Sequence, residues 1–165
     1  MQGNYKNGEE YYNKIYLLFN ALIAVSLLPF GYLLLLRQTG SLQSQVPYPL
    51  NPLLVVVLIL SAAALIYQSY RSFSNFVQSD KTESTLREKL NEYRSESFRK
   101  YMAYLLASLI LVCGLFLTAN GLFIVAYIAT TILLSLKRPT LNTIIEDLQL
   151  SEEDQKVLIE KKTID

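Results

Sequence analysis

Polar side chains interrupt the apolar stretches of this 165-residue chain, among them Asn20, Ser26, Ser61, Ser108, Thr118, Thr130, Thr131 and Ser135. Asn20 is the costliest of them to place in lipid. Their types suit hydrogen bonds between packed helices, each worth roughly 0.6 to 2 kcal/mol, better than contact with a solute. None of the stretches holds Asp, Glu, Lys or Arg. Proton- and ion-coupled transporters tolerate the large cost of such a group because their chemistry needs it. Its absence argues against a coupled exporter and against a rotor-ring subunit.

The soluble parts offer little more chemistry. The chain has no His, which removes the usual general acid/base near neutral pH and the commonest zinc ligand. The lone Cys113 falls in the middle of an apolar stretch, where it stays inert. Glu152-Glu153-Asp154 suits the positive start of a helix better than a cation site. No glycine-rich phosphate loop, nucleophilic triad or metal-spaced cluster occurs, and a net charge of +1 gives no field for nucleic acid. The expectation is a non-enzymatic protein without cofactor or metal.

The elements that carry these residues are set by hydrophobicity. Apolar residues make up 52% and charged residues 18%, against about 25% charge in soluble chains. The charge is also concentrated outside long uncharged runs, as in an integral membrane protein. Residues 15–36 form a 22-residue uncharged run, about 33 Å as a helix and enough for a hydrocarbon core of roughly 30 Å. Pro29 and Gly31 suggest a kink in it. Two acids precede the run and no small-x-small site follows it, so it reads as an uncleaved signal anchor.

Residues 53–70 form a second run, with Pro52 suited to a helix start. A third apolar stretch covers 36 residues from Tyr101, about 54 Å as one helix and too long for a bilayer. Asn120-Gly121 divides it into 101–119 and 121–136.

The basic residues support that division. With four spans, fourteen of the fifteen Lys and Arg fall on one side and only Arg37 on the other; with three, they divide nine to six. All 14 acids share the basic side. The positive-inside rule then places both termini and the middle loop in the cytoplasm. Tyr11, Tyr12, Tyr16, Tyr67, Tyr70, Tyr101 and Tyr104 crowd the same boundary as an interfacial aromatic belt. The expected fold is all-α: a polytopic, antiparallel four-transmembrane-helix bundle with short cytoplasmic helices, in a bacterial inner membrane. Its parts are an N-terminal tail 1–14, the membrane domain 15–136 and a C-terminal tail 137–165.

The outer loop, 37–52, alternates prolines from Pro47 and reads as a stiff extended connector. The cytoplasmic loop, 71–100, reads as a helical hairpin. Asp80 with Glu83, and Thr85 with Glu88, have capping-box spacing, and Glu83–Arg87 and Glu96–Lys100 are acid-first pairs at i, i+4. Leu86, Leu90 and Tyr93 make a stripe continued by Tyr101, so the third span is expected to extend as one helix from about Thr85. Phe73, Phe76 and Val77 extend the second.

The tail carries the clearest soluble pattern. Lys137-Arg138 anchors the membrane exit, and Thr140 caps a helix after Pro139. Leu141, Ile144, Ile145 and Leu148 then fall at i, i+3, i+4 and i+7, a strong amphipathic stripe. Ser151 caps a second helix, with Val157 and Leu158 apolar and Lys161-Lys162 at its end. A unit this small cannot supply its own core, so the stripe must be covered. Leu141, Ile144, Ile145 and Leu148 are therefore the candidate partner-binding residues. The middle loop, the membrane interface, a second copy and another protein are the candidate covers. The expected function is an accessory or scaffold subunit that sits in the lipid bilayer and docks a membrane or cytoplasmic protein. A small oligomeric channel or uncoupled transporter is the alternative, and a lipid enzyme ranks third. Small residues at Ser61–Ala64, at Ala103 and Ala107, and at Ala126 and Thr130 suit close helix packing or a homo-oligomer.

Overall fold

In the computed structural model, residues 5–47, 50–79, 85–136, 138–160, 162 and 164 are described. They form six helices and no strand: α1 Gly8–Gln38, α2 Leu50–Val77, α3 Leu86–Thr118, α4 Leu122–Leu136, α5 Leu141–Leu148 and α6 Glu152–Ile159. Local chemistry sets most boundaries. Asn7 accepts the Glu10 amide at the start of α1. Thr85 and Glu88 form a reciprocal capping box at the start of α3, which satisfies two donors that a helix start otherwise leaves open. Thr140 and Ser151 cap α5 and α6. The Asp80–Glu83 spacing, the Glu83–Arg87 pair, Tyr48-Pro49, Lys137 and Lys161 lie outside the described residues.

Helices α1, α2 and α3 are long and apolar enough to cross a membrane. Their 31, 28 and 33 residues correspond to about 42 to 50 Å, so each outruns a bilayer core of roughly 30 Å. α1 continues through Pro29 without a break. α3 runs unbroken from the capping box to Thr118, which joins the expected loop helix to the third apolar segment. α4 has only 15 residues, about 22 Å. By itself it falls short of a span, and it meets α5 at a bend of 75°.

The contacts define the topology. Tyr11 near the start of α1 donates to the Leu90 carbonyl near the start of α3, while Arg37 at the end of α1 donates to Ala119 just past the end of α3. α1 and α3 are therefore parallel. Asn51 at the start of α2 reaches the Thr118 carbonyl, and Ser69 further along reaches that of Lys100, so α2 runs antiparallel to α3. α3 is the central helix, packed by α1, α2 and α4. Its apolar window is half buried, against about a tenth for α2.

Two apolar clusters follow. One lies within the apolar segments around Phe30, Ala107, Leu111, Leu115, Phe123 and Tyr127. Phe30 and Tyr127 stack at 3.7 Å between centroids. Gly114 permits this packing, because a Cβ there would overlap the buried Phe123 ring. The second cluster closes the end that carries the acids and nearly all the basic residues, here the charged end.

The opposite end is tied by Arg37. The turn residue in left-handed conformation is Ala119, at φ 51°, rather than Gly121. A non-glycine residue pays roughly 1 to 2 kcal/mol for that geometry. Arg37 donates to the Ala119 carbonyl at 2.9 Å, and the Gln45 amide caps Leu117 at 2.8 Å. A cation at a helix C-terminus also complements its dipole. Gly121 serves close approach instead, since a Cβ would lie 3.1 Å from the Arg37 guanidinium.

Candidate partner-docking surface

The C-terminal tail folds back on its own chain. After Leu136 the chain turns at Pro139, and Arg138 lies over the Tyr16 ring and donates to its hydroxyl at 2.9 Å. This sets α5 at the charged end of the long helices. Ile144 is 0% exposed and Leu148 5%, both inside the charged-end cluster. Leu141 and Ile145 are half-buried and pack against the same cluster. Of the four candidate docking residues, the structure thus brings all four to one face and covers that face with the chain's own helices. The same cluster holds Tyr11 and Ile15 of α1, Phe73 of α2, and Leu90, Tyr93 and Tyr101 of α3. Of the stripe Leu86, Leu90, Tyr93 and Tyr101, the last three are deeply buried and Leu86 is half-buried against the same cluster.

Polar contacts lock this cap. The Tyr93 hydroxyl donates to Asp147 of α5 at 3.0 Å. Burial holds the Tyr93 phenol above its ordinary range, and the adjacent Asp147 carboxylate adds to the effect. Burial likewise raises Tyr11, whose hydroxyl donates to Leu90 at 2.7 Å. α6 reaches α1 where Gly8 leaves room, since a Cβ at that position would fall on the Leu158 carbonyl. Leu158 itself is 1% exposed.

Two contributors carry no pattern in the sequence. Tyr5 and Ile164 lie at opposite ends of the chain, and each is 1% exposed. The Tyr5 hydroxyl lies 3.2 Å from both the Arg87 carbonyl and Asn91 Oδ1. The Ile164 amide donates to Lys6 at 3.1 Å, and its carbonyl accepts from the Arg87 guanidinium. Arg87 thus joins both termini to α3. The available signal was an isolated large apolar residue within each polar tail, too short for any periodicity to show.

The outward face of the tail is mostly polar: Asn142, Glu146, Glu152, Glu153 and Lys156 are exposed. Ile159 is the exception, at 57% exposure beyond the apolar segments.

Most polar residues of the apolar segments bond to their own chain. Ser26 and Tyr127 join α1 to α4 at 3.1 Å. Thr118, Thr131 and Ser135 each donate to the carbonyl four residues before, and Ser61 to the one three before. Asn20, expected to bond between helices, instead donates to Tyr16 of its own helix from the exposed side of α1. Intrahelical bonding suffices because Nδ2 reaches a carbonyl one turn back. Cys113 is exposed on α3. No group of three potential metal ligands occurs among the described residues. Comparison with protein-family models, with curated proteins and with solved structures finds no match.

Proposed function

We propose that this chain is a four-span integral protein of a bacterial inner membrane, with both termini in the cytoplasm, acting as a non-enzymatic accessory or scaffold subunit. The observation that carries the reading is the cap at the charged end. Both termini, the start of α3 and the two tail helices are knit into one unit across the ends of α1–α3. Such a unit holds the spans in one arrangement and offers a preformed outer surface, which limits the ordering cost of docking. α4 completes the fourth span despite its length, because its two ends are the Gly121 turn and the Arg138 anchor, and local thinning accommodates a short helix. The fourteen-to-one partition of basic residues supports the same topology and sidedness.

Docking then uses the outer face of the tail around Ile159, because the Leu141–Leu148 stripe is already covered. Affinity capture in mild detergent tests this, with the full-length chain beside Ile159→Asp and a version ending at Arg138. A stoichiometric partner lost in both variants supports the reading. A partner retained by both removes the tail from the interface. Solitary elution of the full-length chain removes the accessory role. The intrahelical bonding of the Ser and Thr set speaks against the channel alternative, which needs those groups to face a pore.

A further inference from the structure

A slot opens between α2 and α4 with α3 as its floor. Its volume is 480 Å³, within the range of roughly 300 to 1,000 Å³ typical of ligand sites. Ala62 and Ala63 of α2 face Ala126 and Ala129 of α4 across it, and the other walls are apolar apart from Thr130 and tyrosine hydroxyls. At the charged end α4 stops at Leu136, and Tyr70 and Tyr104 of the slot also line a second, neighbouring cavity of 160 Å³. Its walls are mixed, with Phe73 and Val77 on the apolar side. Lys100 and Asp147 both line it, with Ser74, Gln78 and Thr143 beside them.

Lys100 is 7% exposed, its ammonium 3.6 Å from the centre of the Phe73 ring. Asp147 accepts the Tyr93 hydroxyl through one oxygen, Oδ2. A cation and an anion thus line one small cavity of mixed walls, next to an apolar slot with which it shares Tyr70 and Tyr104. We propose that slot and cavity together hold one phospholipid with a primary-amine headgroup, such as phosphatidylethanolamine. One acyl chain lies between α2 and α4, the phosphate meets Lys100 and the ammonium meets Asp147. Charge complementarity selects this occupant. A purely anionic headgroup leaves Asp147 repelling it. A choline head has no N–H to donate to a carboxylate. An apolar helix of a second copy meets neither charge. The inference rests on the membrane placement proposed above and not on the docking role.

The test is native mass spectrometry of the full-length chain in mild detergent, titrated with phosphatidylethanolamine, phosphatidylglycerol and phosphatidylcholine of matched acyl chains. The expected result is a single phosphatidylethanolamine adduct about tenfold tighter than the other two, a difference of about 1.4 kcal/mol. Asp147→Asn should erase that preference, and Lys100→Gln should weaken all three lipids. Ala129 is on the exposed side of the slot, so Ala129→Phe should fill it and abolish the adduct with helix content and monodispersity unchanged. Equal binding of the three lipids that ignores Ala129→Phe would overturn the proposal in favour of non-specific annular lipid. A dimer that Ala129→Phe disrupts would overturn it in favour of a second copy. Alkaline carbonate extraction of the chain from membranes would instead remove the membrane placement, a separate failure.

Discussion

Truncating Ile144 to Ala should undock the tail, and the size of the effect follows from its position. Ile144 is completely buried within the charged-end cluster, so removing three carbons leaves a cavity and costs about 2 to 5 kcal/mol. α5 is eight residues long, well below the roughly 12 to 15 at which isolated helices become marginal. It therefore has no folded state apart from the cap, and the lost packing energy goes directly into local opening. A loss of about 3 kcal/mol raises the open population about a hundredfold. Hydrogen exchange followed by mass spectrometry, in detergent, reads this in peptides covering 140–160. Leu141→Ala is the internal comparison: Leu141 is half-buried, so its truncation should cost about 1 kcal/mol and speed exchange only several-fold. Exchange in Ile144→Ala no faster than in Leu141→Ala would refute the burial argument. So would wild-type α5 amides exchanging at the rate of an unstructured peptide, since no docked tail would then exist.

Gly114→Ala should lower the thermal midpoint in detergent, at a cost of about 1 to 3 kcal/mol, because the Phe123 ring that its Cβ would strike is itself fully buried; an unchanged midpoint would contradict that packing. Tyr11→Phe should cost about 1 kcal/mol by removing a buried hydrogen bond to the Leu90 carbonyl, whereas Tyr101→Phe should be neutral or stabilising, because its buried hydroxyl bonds to nothing among the described residues; thermal shifts of equal size and sign would refute the distinction. Tyr5, Tyr11 and Tyr93, outside the apolar segments, have phenols held above the ordinary 10.0 mainly by burial. Their neutral forms stabilise the cap fully below pH 10 and that contribution is lost as pH rises beyond it, so tyrosinate absorbance and tail exchange should increase together on alkaline titration; exchange unaffected while tyrosinate forms would separate these residues from the cap.

Much of the architecture was legible one residue at a time. The Thr85–Glu88 box, Thr140 and Ser151 mark helix starts by chemistry that acts within four residues, and each appears where its spacing placed it. The break near Asn120 was legible for the same reason, although the strained residue proved to be Ala119. Backbone geometry there answers to Arg37, which lies 82 positions away in the chain, and no local pattern carries that information. The tail stripe was legible as a face that needs cover. Which surface covers it was not, because the same i, i+3, i+4, i+7 spacing suits a partner, a membrane or the chain's own core equally well.

Hydrophobicity and charge along the sequence alone determined that the chain is helical, that three of the four expected spans are long and apolar enough to cross a membrane, and that charge collects at one end. These properties depend on transfer free energy summed over neighbouring residues, so local order is enough to express them. Only the tertiary structure decided that Tyr5, Arg87 and Ile164 meet, that Ile144 and Leu148 are spent on the chain's own interior, and that Lys100 and Asp147 share one cavity. Those outcomes depend on the packing of helices distant in sequence, where a single glycine or a bend between α4 and α5 sets which faces come within a few ångströms of each other.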